Sequence, residues 1–301
     1  MGETQAREAM RQAILRAARK AGRGRWQRLV CRPVTTLRPY IMRRLNIQRP
    51  VDVKTVWGGT FSGMLGESVS NAIWSNGSFE TDVSLSLLSY LPPGGIFVDV
   101  GAHFGYFSLL ASKLAGEQGA VISIEAMPST FKHLTSNVER NATHKNVQLL
   151  QCAAYSHETE LEFRDFGLAA SSLNSAFGPR DNDGMISSAG LPVKVRARAV
   201  DDILVDLAVK RVDLIKIDAE SSEKFVLQGL RRTIEKFHPA IIMELGDAEP
   251  SGTATAEHLA TLGAHGYVPY VWNENGVSEE FRPQGWVKYA NPTFRNLGAG
   301  S

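Results

Sequence analysis

The chain has 301 residues, 43% of them hydrophobic, and a formal net charge of +2; no apolar run of about 18 residues marks a membrane span. That length holds one large domain, or a domain of roughly 200 residues with an appendage. Two cysteines, Cys31 and Cys152, exclude a disulfide framework, and with no secretory pattern at the start a reducing, cytoplasmic setting is expected.

Charge is divided unevenly along the chain. Residues 1–50 hold thirteen Lys or Arg against two Glu, and the remainder holds twenty against twenty-nine acids. An acidic body argues against nucleic acid as partner. From Thr4 to about Val30 an apolar stripe (Ala6, Met10, Ile14, Ala17, Ala21) runs among arginines and predicts a helix. Such a helix lies on an anionic membrane surface, which would make the protein peripheral to the membrane, packs on the body or a second subunit, or belongs to a mobile tail. The breaks at Arg32-Pro33 and Arg49-Pro50 mark 1–50 as a basic helical appendage.

Residues 51–93 read as a segment preceding the main sheet. Alternation from Val51 to Trp57 predicts a strand, and Phe61 to Ser70 continues it as a hairpin. A helical run follows through Leu85, Leu88 and Tyr90 and ends at Pro92-Pro93-Gly94-Gly95. Phe79, Glu80 and Thr81 either touch a ligand at the sheet edge or form the turn and N-cap of this helix.

Ile96 to Gly105 is the stretch that organises the rest: an apolar strand ending in Asp99, then Gly101-Ala102-His103-Phe104-Gly105, then a helix from Tyr106. Glycine permits the sharp turn and the close approach of a ligand, and the helix start offers free N–H groups. The middle glycine of a dinucleotide turn is missing. Asp99 would repel a pyrophosphate and attract a cation, which fits the sulfonium and ammonium of S-adenosylmethionine. A second apolar strand, Ala120 to Ile124, ends in Glu125, 24 residues beyond Gly101. A carboxylate there matches the vicinal hydroxyls of a ribose. Pro128 opens the next helix.

Asn146 to Ala154 reads as a third strand with a small-residue end suited to adenine. Leu161–Phe166 and Val193–Arg198 alternate as strands around a polar loop, Gly167 to Gly190, that reads as a lid or a disordered stretch, with Ser171 and Ser172 at its start. Asp201-Asp202 caps a short helix. Val212 to Glu220 is a buried strand with a charged exit, in which Lys216 requires a carboxylate partner. Glu223–Lys236 is an amphipathic helix, and the strand after it ends at Glu244. Thr253–Gly263 is helical, Gly266–Val271 a strand, and Trp286–Ala290 a last, antiparallel strand. These limits give a main domain over 94–291 and a tail over 292–301.

The stretches Val98–Tyr106, Ile124–Pro128, Ala153-Ala154, Asp213–Glu220 and Val226-Leu227-Gln228-Gly229 together resemble the FkbM family of class I methyltransferases, over about Gly77 to Leu245. The resemblance implies an α/β Rossmann-like fold: a mostly parallel seven-stranded sheet with an antiparallel last strand and helices on both faces. It further implies S-adenosylmethionine as cofactor and O-methylation of a hydroxyl on a sugar or natural-product-like small molecule. The expected cofactor contacts are Asp99, Gly101, Ala102, His103, Gly105, Glu125, Ala126 and Ala153, with Glu80 and Ser172 from the flanking segments. Asp218, Glu220 and His103 are the catalytic candidates. Asp218 and Glu220 alone do not define a divalent-metal site, and none is favoured. The chain departs from the family at Ala126, where proline is common, and at Ser221, where the family tends to carry glycine. The alternatives are an NAD-dependent oxidoreductase and a non-catalytic, membrane-recruited binding protein, and a homodimer is compatible with either reading of the appendage.

Overall fold

The structure is a computed structural model that describes residues 2–22, 34, 37–38, 41–42, 45, 47–168, 190–219, 221–247 and 254–298. At its centre is an eight-stranded sheet. Five parallel strands form most of it: β3 (Ile96–Val100), β4 (Ala120–Glu125), β5 (Val147–Gln151), β9 (Leu214–Ile217) and β10 (Ala240–Met243). Beyond β10 lie β13 (Thr293–Asn296), β11 (Tyr267–Trp272) and the short edge strand β12 (Ser278–Glu280), each antiparallel to its neighbour. The order is β12-β11-β13-β10-β9-β3-β4-β5. β3 sits inside, with chain crossovers leaving it in both directions, so its carboxyl end is the switch point where open α/β sheets bind ligands.

The central strands are apolar on both faces, as parallel strands covered by helices must be. Phe97, Val121, Leu214 and Ile242 face one core, with α1 (Glu3–Ala21), α3 (Thr81–Tyr90) and α4 (Tyr106–Ala115) on it. Val98, Val100, Ile122, Ile215, Ile217 and Ile241 face the other, covered by α6 (Val200–Asp206), α7 (Glu223–Gly229), α8 (Arg231–Phe237) and α9 (Thr255–Gly263). α5 (Pro128–Asn141) follows β4 and contacts β2 (Thr60–Leu65) and β5. β2 pairs with β1 (Arg49–Lys54) as the expected hairpin.

The N-terminal helix is part of the body. Ile14 and Leu15 are buried with Trp57 and Leu85, and Arg7 donates to the carbonyls of Leu88 at 3.0 Å and Leu114 at 3.1 Å. Those carbonyls belong to the last turns of α3 and α4, where no intrahelical donor is available. Packing on the body is therefore the alternative realised for this helix, which ends at Ala21.

Three local expectations are corrected. The third strand divides: after Cys152 the chain leaves the main sheet, and β6 (Ala153–Tyr155) joins a second sheet of order β6-β8-β7 with β7 (Thr159–Asp165) and β8 (Leu191–Ala199). The last strand is not Trp286–Ala290, where Trp286 and Tyr289 are exposed; it is β13, inside the expected tail, with Thr293 and Phe294 buried. Ala290 makes only an isolated bridge to Leu245. Among the described residues the main sheet has eight strands rather than seven, because the chain turns back after β11 and adds β12.

α2 (Ser68–Asn76) starts on a buried acid. The Glu67 carboxylate accepts the N–H groups of Val69 at 2.7 Å and Ser70 at 2.6 Å, satisfying two free donors of the first turn. Glu67→Ala is expected to cost about 1–2 kcal/mol in urea denaturation, within the range for a lost cap. An unchanged midpoint would show that water replaces the carboxylate.

Candidate active site

The carboxyl ends of β3, β4 and β9 open into a cavity of about 380 Å³, within the size range of small-molecule sites. Its floor is the turn after β3. Gly101 adopts φ +73, and a Cβ there would sit 1.8 Å from the carbonyl oxygen of Asp218. Only glycine lets the ends of β3 and β9 come this close. His103 follows with φ 51, a strained conformation for a side-chain-bearing residue, and its ring stacks on Phe104 at 4.3 Å.

Glu125 fixes one wall. Oε1 accepts from Met127 N at 2.9 Å and Thr130 Oγ1 at 2.6 Å, and Oε2 accepts from His103 N at 2.9 Å. A carboxylate has about four acceptor positions, so capacity remains beside the cavity for a hydroxyl. Next to it, Ala126, Met127, Ala153, Ala154 and Phe163 form an apolar wall of mostly small side chains, which suits a flat aromatic base.

A buried ionic group lies at the opposite end. Lys216 Nζ is 3.0 Å from Asp218 Oδ2, 3.8 Å from Asp99 Oδ1 and 3.4 Å from the Gly101 carbonyl. Burial alone would lower its pKa, but Asp218, Asp99 and Glu80 outweigh that and raise it, so the ammonium persists. Asp99 is fully buried behind the floor. Burial pushes its pKa up, against the pull of Lys216 and of Ser108, which donates to Oδ2 at 2.6 Å. Among the described residues its Oδ1 has no hydrogen-bond partner.

Glu80 joins this group from the start of α3, in a left-handed backbone conformation at φ 35. Tyr289 donates its hydroxyl to Glu80 Oε1 at 2.5 Å and accepts from Asn291 Nδ2 at 3.0 Å. Burial first, and then the charge of Asp218, push the Glu80 carboxyl up to about 7. Desolvation of its hydroxyl and the charge of Glu80 push the Tyr289 phenol up as well, although much of its ring is exposed, so it remains a donor.

Of the residues singled out from sequence, Gly101, Ala102, His103, Glu125, Ala126, Ala153, Glu80 and Asp218 line this one cavity. Asp99 and Gly105 do not. Asp99 underlies the floor, and Gly105, at φ 86, starts α4 against Leu134. Ser172 and Glu220 lie outside the described residues. Tyr289 and Glu244 line the cavity without having been expected there. Glu244 carried a signal, an acid at a strand end. Tyr289 carried none, since it lies 209 residues from its partner. Among the described residues no helix is long and apolar enough to cross a membrane.

Residues 99–269 match the family profile described as the methyltransferase FkbM domain. The 31-O-demethyl-FK506 methyltransferase FkbM of Streptomyces tacrolimicus is 26% identical, covering 59% of this chain and 74% of that protein. The AMB antimetabolite synthetase AmbE of Pseudomonas aeruginosa is 27% identical over 59% of this chain, which corresponds to only 10% of the synthetase. A solved structure of the methyltransferase FkbM from Methylobacillus flagellatus aligns with a TM-score of 0.41 and 14% identity, covering 76% of this chain and 55% of that one. The family match spans more than half of the chain and begins at the acid beneath the cavity floor: the chain belongs to the FkbM family of S-adenosylmethionine-dependent methyltransferases.

Proposed function

We propose that the protein methylates a hydroxyl of a sugar or natural-product-like small molecule. The observation that carries this reading is the division of one cavity into two chemically different ends: the Gly101 turn with Glu125 and Ala153, and the acidic group of Glu80, Asp218 and Glu244 with Tyr289. S-adenosylmethionine, when bound, supplies an electrophilic methyl group on a sulfonium. In this reading Glu125 would hold the ribose hydroxyls, Ala126 and Ala153 would line the adenine site, and the turn from Gly101 to His103 would lie toward the methionine portion. Asp99, whose Oδ1 faces Lys216 at 3.8 Å, and Asp218 would supply negative charge toward the cofactor's cationic end.

Glu80 is the proton acceptor in this scheme. Bound S-adenosylmethionine would supply the methyl group and the thioether leaving group, and the Glu80 carboxylate would take the proton of the acceptor hydroxyl as it is methylated. Asp218 is less suited because its charge is held by Lys216 at 3.0 Å. A base titrating near neutrality combines a populated carboxylate with useful proton affinity. A relative's name, that of an O-demethyl-FK506 methyltransferase, is consistent with a natural-product hydroxyl.

Calorimetric titration tests the cofactor half. Saturable binding of S-adenosylmethionine and none of NAD are expected, with affinity about tenfold weaker in Glu125→Gln, the loss of one hydrogen bond to a charged group. Transfer of labelled methyl to hydroxyl-bearing sugars and polyketides, with the product's linkage read by NMR, tests the other half. A product methylated at nitrogen or carbon would overturn the hydroxyl assignment.

A further inference from the structure

A second surface remains after the catalytic cavity and the N-terminal helix are accounted for. Val34, Leu37, Ile41, Leu45 and Ile47 are 64%, 42%, 49%, 62% and 40% exposed. Residues 34, 37, 38, 41 and 42 have helical backbone, and Leu45 N donates to the Ile41 carbonyl at 2.9 Å. Spacings of three and four put Val34, Leu37, Ile41 and Leu45 on one face. Single exposed aliphatic residues are ordinary, but a contiguous row of them marks an interaction site. The row is anchored to the body: the Arg38 guanidinium lies 5.8 Å from the centroid of Trp74 in α2, and the Ile47 carbonyl abuts Gly66. The first residues of α2, Ser68 and Val69, also line the catalytic cavity.

Charge identifies the occupant. From Ala9 to Pro50 the sequence holds twelve Lys or Arg and no Asp or Glu. A second copy of the chain would bring an equally basic segment against this one and be repelled. A nucleic acid would find phosphate partners but no row of aromatic rings for its bases among these exposed residues. An anionic bilayer surface offers both what aliphatic side chains and what arginines require. The α1 stripe is unavailable for this, because the body already covers it.

We propose that Val34, Leu37, Ile41, Leu45 and Ile47, in a segment whose sequence is rich in arginine, form an interfacial docking face for anionic lipid membranes. Partial insertion of the aliphatic row provides the apolar contribution, and the arginines provide attraction that falls with salt.

Sedimentation of the full chain with vesicles tests this. Binding to phosphatidylserine-rich vesicles, absence of binding to pure phosphatidylcholine, and release by high salt are expected. The double variant Val34→Asp, Leu45→Asp should lower the partition coefficient by about tenfold or more, each change replacing an aliphatic side chain that would enter the bilayer by a repelled charge. Its affinity for S-adenosylmethionine should not change, which reports an intact fold and separates this proposal from the catalytic one. Equal retention on neutral and anionic vesicles, retention on neither, or undiminished binding of the variant would overturn the proposal. So would a wild-type dimer in analytical ultracentrifugation that the same variant dissociates, since the face would then be a subunit contact.

Discussion

Gly101→Ala is expected to lower stability by about 2–5 kcal/mol and to bring S-adenosylmethionine binding below detection. Two costs add. A left-handed backbone costs an L-residue about 1–2 kcal/mol, and at φ +73 Gly101 cannot leave that region without breaking the turn. Overpacking adds about 1–3 kcal/mol, because the new Cβ meets a backbone oxygen 1.8 Å away rather than a side chain that could rotate aside. That oxygen belongs to Asp218, so relief by moving it would also disturb the 3.0 Å contact with Lys216. Gly116→Ala separates the two costs. Gly116 has φ +67 and ψ −172, a region open essentially to glycine alone, and no described residue comes within 4 Å of a built Cβ, so only a backbone cost of about 1–3 kcal/mol applies there. Urea denaturation of both variants, with calorimetry of the folded fraction, makes the comparison. Equal losses at the two positions would show that the ends of β3 and β9 can part, and the close approach would then not be what requires glycine.

What was legible in the sequence was what is local. The turn after β3 announces itself because strand, acid, glycine pair and helix are consecutive, and Glu125 is legible because β4 repeats the pattern one unit later. Lys216 could be read as needing a carboxylate because alternation places it on one strand face with Asp218. The register then brings Asp99 directly opposite Lys216, a fact that only pairing supplies. Illegible were the features made by distant segments. β13 has the modest sequence Thr-Phe-Arg-Asn, and it is a strand because β10 and β11 leave a place between them that its buried Thr293 and Phe294 fill. The apolar run Trp286–Tyr289 looked more like a strand, yet the exposed Tyr289 ring serves a hydrogen bond to Glu80 instead. The division after Gln151 was hidden for a similar reason. β5 and β6 are continuous in character, and only the second sheet decides where one ends.

Glu80→Gln is expected to reduce kcat by about 10²–10⁴-fold, the usual contribution of a positioned base, with little change in affinity for S-adenosylmethionine. The pH dependence carries the sharper test. In the unliganded protein the carboxyl titrates at about 7 rather than its ordinary 4.5, because burial and then Asp218 disfavour the charged form. Activity of the wild type should rise with pH and level off once the carboxylate is populated. Its inflection should lie no higher than about 7, since a cationic cofactor nearby favours ionisation. Glu80→Gln should lose this limb. Stability has the opposite sign. A raised folded pKa means that the protonated form is favoured on folding, so the benefit is full below about 4.5 and lost as pH rises towards 7. Melting temperature should therefore fall over that window more in the wild type than in Glu80→Gln. Tyr289→Phe removes the donor to Oε1 without removing the carboxyl. That bond favours the charged form, so its loss should move the activity limb to higher pH while leaving the plateau within about tenfold, the scale of one hydrogen bond to a charged group. A Glu80→Gln enzyme that keeps the wild-type limb would place the base elsewhere. One that loses cofactor affinity instead would make Glu80 a contact of the cofactor's ammonium, and Asp218 would then be the next residue to test.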